Sequence, residues 1–548
     1  MECILSSIVL GRRGGPVRHA RPSALSFAAV GGVLTALAFP PWSMPWLAPI
    51  GVAALVVAVT GRSVVVGGAA GGVFGLVFFG TTLWWLSESI AVAAWGALTL
   101  VQAAWLVLAG SAMTLVRNLP GWPAWMALVW TTVETMRSSV PWGGMPWGRL
   151  GYTAVDVPWG AFLAIGGVAG AGALVVLMGA SAAGVASAVA ERRTALRLTR
   201  PVIATGSVAV VGMWLLLGAG SVGGRLGVEE TGVARVAVVQ GGVPGDGTQV
   251  SANHRRVTLN QLTQTRELLT ARSSSAPALD FVLWPENATA VDPTRDSQAR
   301  AVISSAVAEV GAPVLLGAIV DSSSPSLALN QSIVWTASGP EDRYTKQHLV
   351  PFGEYVPLRP LAELVSSRVA DIERDMISGG AAQPLTVAGL RVAAALCFDV
   401  AYDDVVRSQV KQGVDLVTVQ TSNAMFLGTA QLEQQWVITR ARAAEVGRSV
   451  VVSSINGLSG AIGPDGRVIE QLPSRESTSS LVEVPMATGM SIAVRFGPWP
   501  GRVAGLLAVV AVAAAVRRQR WDSSGASRSP GSGDDASGAG PPNCAVCR

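Results

Sequence analysis

Apolar runs dominate the stretch from Ser23 to Gly220, where charged residues are sparse. The runs are Leu25–Phe39, Trp46–Thr60, Val64–Leu86, Ile90–Val116, Trp122–Met136, Trp159–Val189 and Val202–Gly220. Several approach the ~20 residues that a helix needs to cross about 30 Å of hydrocarbon; the first two are short. Backbone polar groups find no water in lipid, so runs of this kind must close their hydrogen bonds as helices. Their many glycines suit close helix–helix packing there. An eighth run, Val503–Val516, lies near the C terminus. Half of the chain is hydrophobic and only 14% is charged, as in a membrane protein.

Basic residues order these runs across the bilayer. Arg12, Arg13, Arg18 and Arg21 precede the first. Arg62, Arg117 and the group Arg192, Arg193, Arg197 and Arg200 occupy later connections, and Arg517, Arg518 and Arg520 follow the eighth. Positive charge collects on cytoplasmic loops. Alternate connections then fall in the cytoplasm, both termini lie there, and the block between the seventh and eighth runs lies outside. The expected division is a cytoplasmic tail over 1–22, a membrane domain of about seven helices over 23–220, a folded block over 221–498, a C-terminal membrane helix over 499–518, and a disordered cytoplasmic tail over 519–548. Phe39-Pro40-Pro41 offers no small-residue cleavage site, which argues against a removable signal peptide. The net charge of +5 follows the loops and tails rather than a stripe, so nucleic acid is not an expected partner.

The outside block alternates strands with helices. Strands are expected at Arg235–Gln240, Asp280–Trp284, Pro313–Val320, Gln331–Thr336, Arg391–Leu396, Val414–Gln420 and Ser449–Ser454. Most are apolar throughout, as in a sheet covered on both faces. Helices are expected at Ser251–Ala271, Thr294–Val310, Asp403–Gln412 and Thr429–Val446, and Gly463-Pro464-Asp465-Gly466 reads as a turn between two further strands.

Three reactive side chains follow apolar strands of this block. Glu286 ends Phe281-Val282-Leu283-Trp284-Pro285, Lys346 follows Tyr344-Thr345, and Cys397 closes Val392-Ala393-Ala394-Ala395-Leu396. A carboxylate, an ammonium and a thiol are the parts of a nucleophilic acyl-transfer site. Each alone also reads as an ordinary residue: a core cysteine, a loop glutamate, a surface lysine. The turn to polar residues at Asp399, Asp403 and Asp404 fits a strand-to-helix bend, whose helix N terminus favours a thiolate. Of the four cysteines, Cys3, Cys544 and Cys547 lie in the tails, and one CxxC pair supplies half a zinc site. Without a phosphate-binding glycine loop or a metal cluster, no cofactor and no metal is expected.

The segments around these residues resemble the apolipoprotein N-acyltransferases, the membrane-embedded branch of the nitrilase superfamily. Trp284-Pro285-Glu286 resembles the superfamily's general-base segment. Arg343-Tyr344-Thr345-Lys346-Gln347-His348-Leu349-Val350-Pro351-Phe352-Gly353-Glu354 closely resembles the acyltransferase lysine segment. Ala395-Leu396-Cys397-Phe398-Asp399 stands where the nucleophile elbow belongs, and the late Gly463–Gly466 turn matches as well. The likeness reaches the membrane part through Met145–Tyr152, Trp84-Trp85 and Ser89-Ile90. The sequence departs where the family usually has Tyr-Glu after the nucleophile and here has Phe398-Asp399. It also departs at Ser422–Gly428, which replaces a tryptophan-bearing loop, and at Gly242, which stands for a common Asn.

The resemblance implies a multi-span helical bundle of about eight helices carrying an extracytoplasmic α-β-β-α sandwich. It implies a bacterial cell-membrane enzyme that moves an acyl chain from a phospholipid to the N-terminal amine of a diacylglyceryl-cysteine on an apolipoprotein. Glu286, Lys346 and Cys397 would be catalytic; Glu354, Phe398 and Asp399 would support them. Tyr355–Val365 and Ala424–Leu427 are either loops that dip toward lipid or ordinary core. Two alternatives stand beside this one: a membrane-tethered amidase that uses water as acceptor, and a transporter or scaffold with Glu88 or Glu134 as intramembrane carboxylate. A monomer is the default expectation.

Overall fold

In the computed structural model, residues 23–192, 227–273, 275–357, 359–360 and 374–526 are described. The N-terminal part is a helical bundle: α1 (Ala24–Leu37), α2 (Leu47–Val59), α3 (Val64–Thr82), the single turn α4 (Trp85–Ser89), α5 (Val92–Val116), α6 (Trp122–Arg137) and α7 (Leu163–Arg192). The Ser23 hydroxyl caps α1 by accepting from the Ser26 N–H at 3.1 Å, and Ser63 caps α3 in the same way. Val64–Thr82, Val92–Val116 and Pro158–Val189 are long and apolar enough to cross a membrane, as is Trp499–Trp521 at the other end of the chain. Ala24–Leu37 and Leu47–Val59 are shorter apolar helices, consistent with the shortness of the first two runs. The seventh run, Val202–Gly220, lies outside the described residues.

The block that follows the bundle is built on two sheets. One has the order β13-β1-β2-β3-β4-β5 with β6 beside β4; the other runs β12-β11-β10-β9-β8-β7. Their strands are β1 (Val228–Gln240), β2 (Phe281–Leu283), β3 (Val314–Asp321), β4 (Leu327–Thr336), β5 (Gly339–Thr345), β6 (Asp375–Met376), β7 (Leu385–Val387), β8 (Leu390–Leu396), β9 (Leu416–Thr421), β10 (Val450–Ser454), β11 (Ser459–Ile462), β12 (Val468–Leu472) and β13 (Thr478–Gly489). Helices α8 (His254–Ala271) and α9 (Ser297–Val310) cover the first sheet, whereas α10 (Asp403–Lys411) and α11 (Gln431–Val446) cover the second. The sheets face each other through β1 against β10 and β4 against β8, giving the four-layer sandwich expected. All seven expected strands and all four expected helices form close to their expected ends, except that β1 begins earlier, at Val228, and β4 begins earlier, at Leu327. After the short α12 (Ile492–Phe496), α13 (Trp499–Ala526) returns to the bundle beside α6. It runs beyond the expected limit of residue 518, and Arg517, Arg518 and Arg520, which are good helix formers, carry it past that point.

Sandwich and bundle meet through buried polar contacts. Gln434 on α11 accepts the indole N–H groups of Trp85 at 3.0 Å and Trp147 at 2.7 Å. Its amide donates to the carbonyls of Pro40 and Thr82, both at 3.0 Å. Arg149 pairs with Asp403 at 2.8 Å, and the Tyr152 hydroxyl donates to the Ala401 carbonyl at 3.0 Å. Glu134 is buried and accounted for structurally: it accepts the Leu150 N–H at 3.0 Å and lies 3.7 Å from Arg137 and 3.8 Å from Arg149. Glu88 is solvent-accessible and accepts from Trp84 at 3.0 Å.

Within the bundle, α3 and α5 approach so closely that a β-carbon on Gly71 would lie 2.0 Å from the Leu106 carbonyl oxygen. Gly71→Ala should therefore lower the midpoint of thermal unfolding in detergent, by the about 1–3 kcal/mol typical of overpacking. Gly96→Ala, where nothing lies within 4 Å of the added carbon, should leave it unchanged or raise it. Equal effects of the two substitutions would contradict the close approach.

Candidate active site

Strand ends bring the sequence-marked residues together. Glu286 lies just beyond β2, and it sits so near β3 that a β-carbon on Gly317 would come within 2.5 Å of its Cα. Its Oε1 accepts from Lys346 Nζ at 3.1 Å and from Asn330 Nδ2 at 2.7 Å, and its Oε2 accepts the Ser422 N–H at 2.9 Å. Lys346 follows β5 and is held by its own N–H, which donates to the Asn330 carbonyl at 2.9 Å. Its ammonium is 1% exposed and reaches Glu354 Oε1 at 2.8 Å. Glu354 is fixed in turn by the Val350 N–H at 2.8 Å on its other oxygen. Burial opposes the lysine charge, but Glu286 and Glu354 outweigh it and hold the ammonium well above its ordinary range.

Cys397 is the first residue after β8 and opens a 3-10 turn, Cys397–Ala401, that leads to α10. Its φ of +48° is a left-handed value rare for any residue but glycine, so the backbone bends sharply and turns the side chain out of the strand. Sγ lies 3.9 Å from Gln435 Nε2 and 3.9 Å from Asn423 Oδ1. Burial pushes the thiol up to about 12; Glu286 adds to the shift and Lys346 opposes it. The helix beyond the turn was expected to favour a thiolate, but burial and the carboxylates are stronger, and the resting group at neutral pH is the thiol.

Phe398 and Asp399 complete the elbow. Phe398 is buried, faces Trp147 with ring centroids 6.2 Å apart and meets Tyr402 edge-on at 5.1 Å. Asp399 is fully buried: Oδ2 accepts the Tyr344 hydroxyl at 2.7 Å and the Leu396 N–H at 3.2 Å, and Oδ1 accepts the His348 N–H at 2.8 Å. Burial lifts its carboxyl to about 6 against the pull of Lys346 and these donors. Asp399 therefore ties the cysteine turn to the lysine segment.

Sequence reading missed Asn330, Asn423, Gln434 and Gln435. Asn330 bridges Glu286 and Glu354, with its amide also 3.2 Å from Glu354 Oε1. A polar residue inside the apolar buried strand β4 was its visible signal, as were paired glutamines on one helix for Gln434 and Gln435. Ala424–Phe426 forms a short 3-10 turn, in which Phe426 meets Trp85 of the bundle edge-on at 5.3 Å while Met425 is exposed. Of Tyr355–Val365, residues 358 and 361–365 lie outside the described residues.

Comparison with known proteins places these features in a family. Residues 31–181 match the apolipoprotein N-acyltransferase N-terminal domain, and residues 235–493 match the carbon-nitrogen hydrolase domain. The apolipoprotein N-acyltransferase of Mycolicibacterium smegmatis is 30% identical over 506 residues, covering 89% of this chain and 84% of the relative. That of Methylococcus capsulatus is 29% identical over 514 residues, covering 89% and 95%. A solved amidase from Nesterenkonia sp. is 15% identical with a TM-score of 0.33, covering 49% of this chain and 93% of that one. With both domains matched in order along one chain, and relatives aligned over most of its length, this protein belongs to the apolipoprotein N-acyltransferase family.

Proposed function

We propose that the chain transfers an acyl chain from a phospholipid to the α-amine of a diacylglyceryl-cysteine at the N terminus of an apolipoprotein, through a thioester on Cys397. The observation that carries the reading is one buried cluster of thiol, carboxylate and ammonium, set at strand ends directly against a bundle of apolar helices. Acyl substrates remain in lipid at such a junction. Extracting them would cost about 0.8 kcal/mol per CH₂.

In the first half-reaction Glu286 takes the Sγ proton and the sulfur attacks the ester carbonyl. Charge then moves from the carboxylate to sulfur and on to the developing oxyanion, while the cluster's net charge is conserved. Lys346 and the backbone N–H of Phe398 stabilise that oxyanion. Glu286 returns the proton to the leaving alkoxide, lysophospholipid departs, and an acyl thioester remains on Cys397. In the second half-reaction the lipoprotein amine attacks the thioester, Glu286 takes a proton from the amine, and the thiol is restored. Glu354 and Asn330 keep the ammonium and the base in register. Asp399 is a positioning residue for the elbow. The loop charges support an extracytoplasmic catalytic block with both termini in the cytoplasm, in a bacterial cell membrane, with eight spans.

Intact mass after incubation with phospholipid alone should show one acyl adduct, absent in Cys397→Ala. Subsequent addition of a diacylglyceryl lipopeptide should discharge it as a third acyl chain on the peptide. Release as free fatty acid at the same rate with or without the lipopeptide would instead make water the acceptor, as in an amidase. Lys346→Met should slow adduct formation about 100- to 1000-fold, the usual loss when one oxyanion donor is removed.

The thiol itself titrates in a direction the cluster fixes. Alkylation of Cys397 by iodoacetamide should rise with pH and remain short of its plateau below about 11, because the thiol is pushed up to about 12. Glu286→Gln removes a negative neighbour and should shift the midpoint down; Lys346→Met removes a positive one and should shift it up. Shifts of the same sign in both variants would contradict the arrangement.

A further inference from the structure

A second large feature lies away from the thiol. A groove of about 1060 Å³ runs between α6, α7 and the start of α13, and Cys397, Glu286 and Lys346 take no part in its lining. Its trough is apolar and made of small residues, among them Ala124, Leu128, Ala169, Ala173 and Ala504. From Ala124 to Met136 it follows α6 for about 18 Å at 1.5 Å per residue, the length scale of an extended acyl chain. Its mouth lies where bundle and sandwich meet and changes character abruptly. His348, Arg149, Arg407, Ser408, Lys411 and Arg502 line it, with Asp403 and Asp404.

Charge at the mouth is unbalanced in one direction. Asp403 is already matched by Arg149 at 2.8 Å and Arg442 at 3.1 Å, and Asp404 by His348 at 2.9 Å. Arg407 is engaged by Glu445. Lys411 and Arg502 make no ion pair with another described residue. One buried guanidinium nitrogen, Arg407 Nε, has no hydrogen-bond partner although its side chain lines the groove, whereas Arg149 Nε faces Glu134 at 3.8 Å. An unsatisfied donor buried this deeply is costly unless an acceptor arrives. The exposed Trp499, over which Arg502 lies at 5.2 Å, is the kind of side chain that marks the level of lipid headgroups.

We propose that this groove binds an anionic diacyl glycerophospholipid as a resident, non-reacting ligand. One acyl chain lies along α6 and α7, and the phosphate is held by Lys411 and Arg502, with Arg407 and Ser408 beside it. Basic pockets between membrane helices are the usual receivers of such headgroups. Because His348 stacks on Tyr402 with ring centroids 3.6 Å apart, and its N–H is bonded to Asp399, an occupant at the mouth touches the face of the segment that holds the elbow. The inference is independent of the acyl-transfer reading, since lipid retention is measured without turnover.

The test uses the full chain with Cys397→Ala, so that no acyl adduct forms, in phosphatidylcholine nanodiscs doped with phosphatidylglycerol. Native mass spectrometry should show phosphatidylglycerol retained in preference to phosphatidylcholine. Lys411→Glu with Arg502→Glu, both at exposed positions, should lower that retention about tenfold, as loss of cationic contacts near a headgroup implies. In parallel, Ala173→Cys should react with a lipophilic maleimide in pure phosphatidylcholine and be protected when phosphatidylglycerol is added. Equal retention of the two lipids, or retention untouched by the double charge reversal, would overturn the proposal. So would an introduced thiol that stays unreactive without phosphatidylglycerol, which would mean that protein rather than lipid fills the groove, or one that stays equally reactive with it.

Discussion

A lysine ammonium with almost no solvent contact is the constraint on which the rest of the site depends. Removing that charge from water is expensive, and only the paired carboxylates of Glu286 and Glu354 make it tolerable. Those two carboxylates leave the cluster with one excess negative charge, so a free thiolate beside it would add a second. Burial first, and the Glu286 carboxylate after it, hold the thiol of Cys397 in its neutral form. In the proposed mechanism activation comes by moving a proton from sulfur to Glu286, which displaces the charge without increasing it. The strands follow from this need. β2, β5 and β8 must end at one place, and Gln420 of β9 reaches between the sheets to donate to the Trp284 carbonyl at 2.7 Å, two residues before the base.

The same economy governs the contact with the bundle. Gln434 makes four hydrogen bonds, two as acceptor and two as donor, to partners on separate membrane segments. A buried amide satisfied on every side is rigid, and its neighbour Gln435 is the residue that approaches the sulfur. Helix α11 is thus anchored to the bundle at one residue and presented to the thiol at the next. Arg149 and Asp403 repeat the arrangement at the far end of the elbow, where burial is opposed by Arg149, Arg442 and Arg407, which hold the Asp403 carboxyl well below the usual carboxylate range. The apolar helices therefore act as a wall of the candidate site as well as an anchor.

What was legible in the sequence was what burial writes into composition. β3, β8, β9 and β10 are buried on both faces, and apolar residues predominate in each closely enough to mark it. β5 reads Gly-Pro-Glu-Asp-Arg-Tyr-Thr and lies at the sheet edge with most residues exposed, so it carries no such run. β13 went unmarked for a related reason: its pairing with β1 is set by register along a half-exposed strand rather than by hydrophobicity. Glu286 and Cys397 were visible because each closes an apolar run, whereas Lys346 follows the polar edge strand β5 and was marked by its segment's resemblance to the family. Asn330 and Gln435 were not, because an amide's role depends on which atoms face it in three dimensions. The span count rests on length, and length is ambiguous for helices such as Leu47–Val59.

The departure at Phe398-Asp399 shows how such a site absorbs a change. An aspartate reaches about one methylene less far than the family's usual glutamate. Here the shorter side chain stays within its own turn, accepting the N–H of Leu396 three residues before it, and the distance is made up from the other side by the Tyr344 hydroxyl and the His348 N–H. Phe398 lacks a hydroxyl and makes its contacts through the ring alone, against Trp147 of the membrane part and Tyr402 of the elbow. The elbow keeps its bend through a clamp of three donors to one carboxylate and through an aromatic stack. Because burial lifts Asp399 toward 6, the clamp sits nearer its protonation point than an ordinary aspartate would, and the Tyr344 hydroxyl, able to donate or accept, is the partner that tolerates either state.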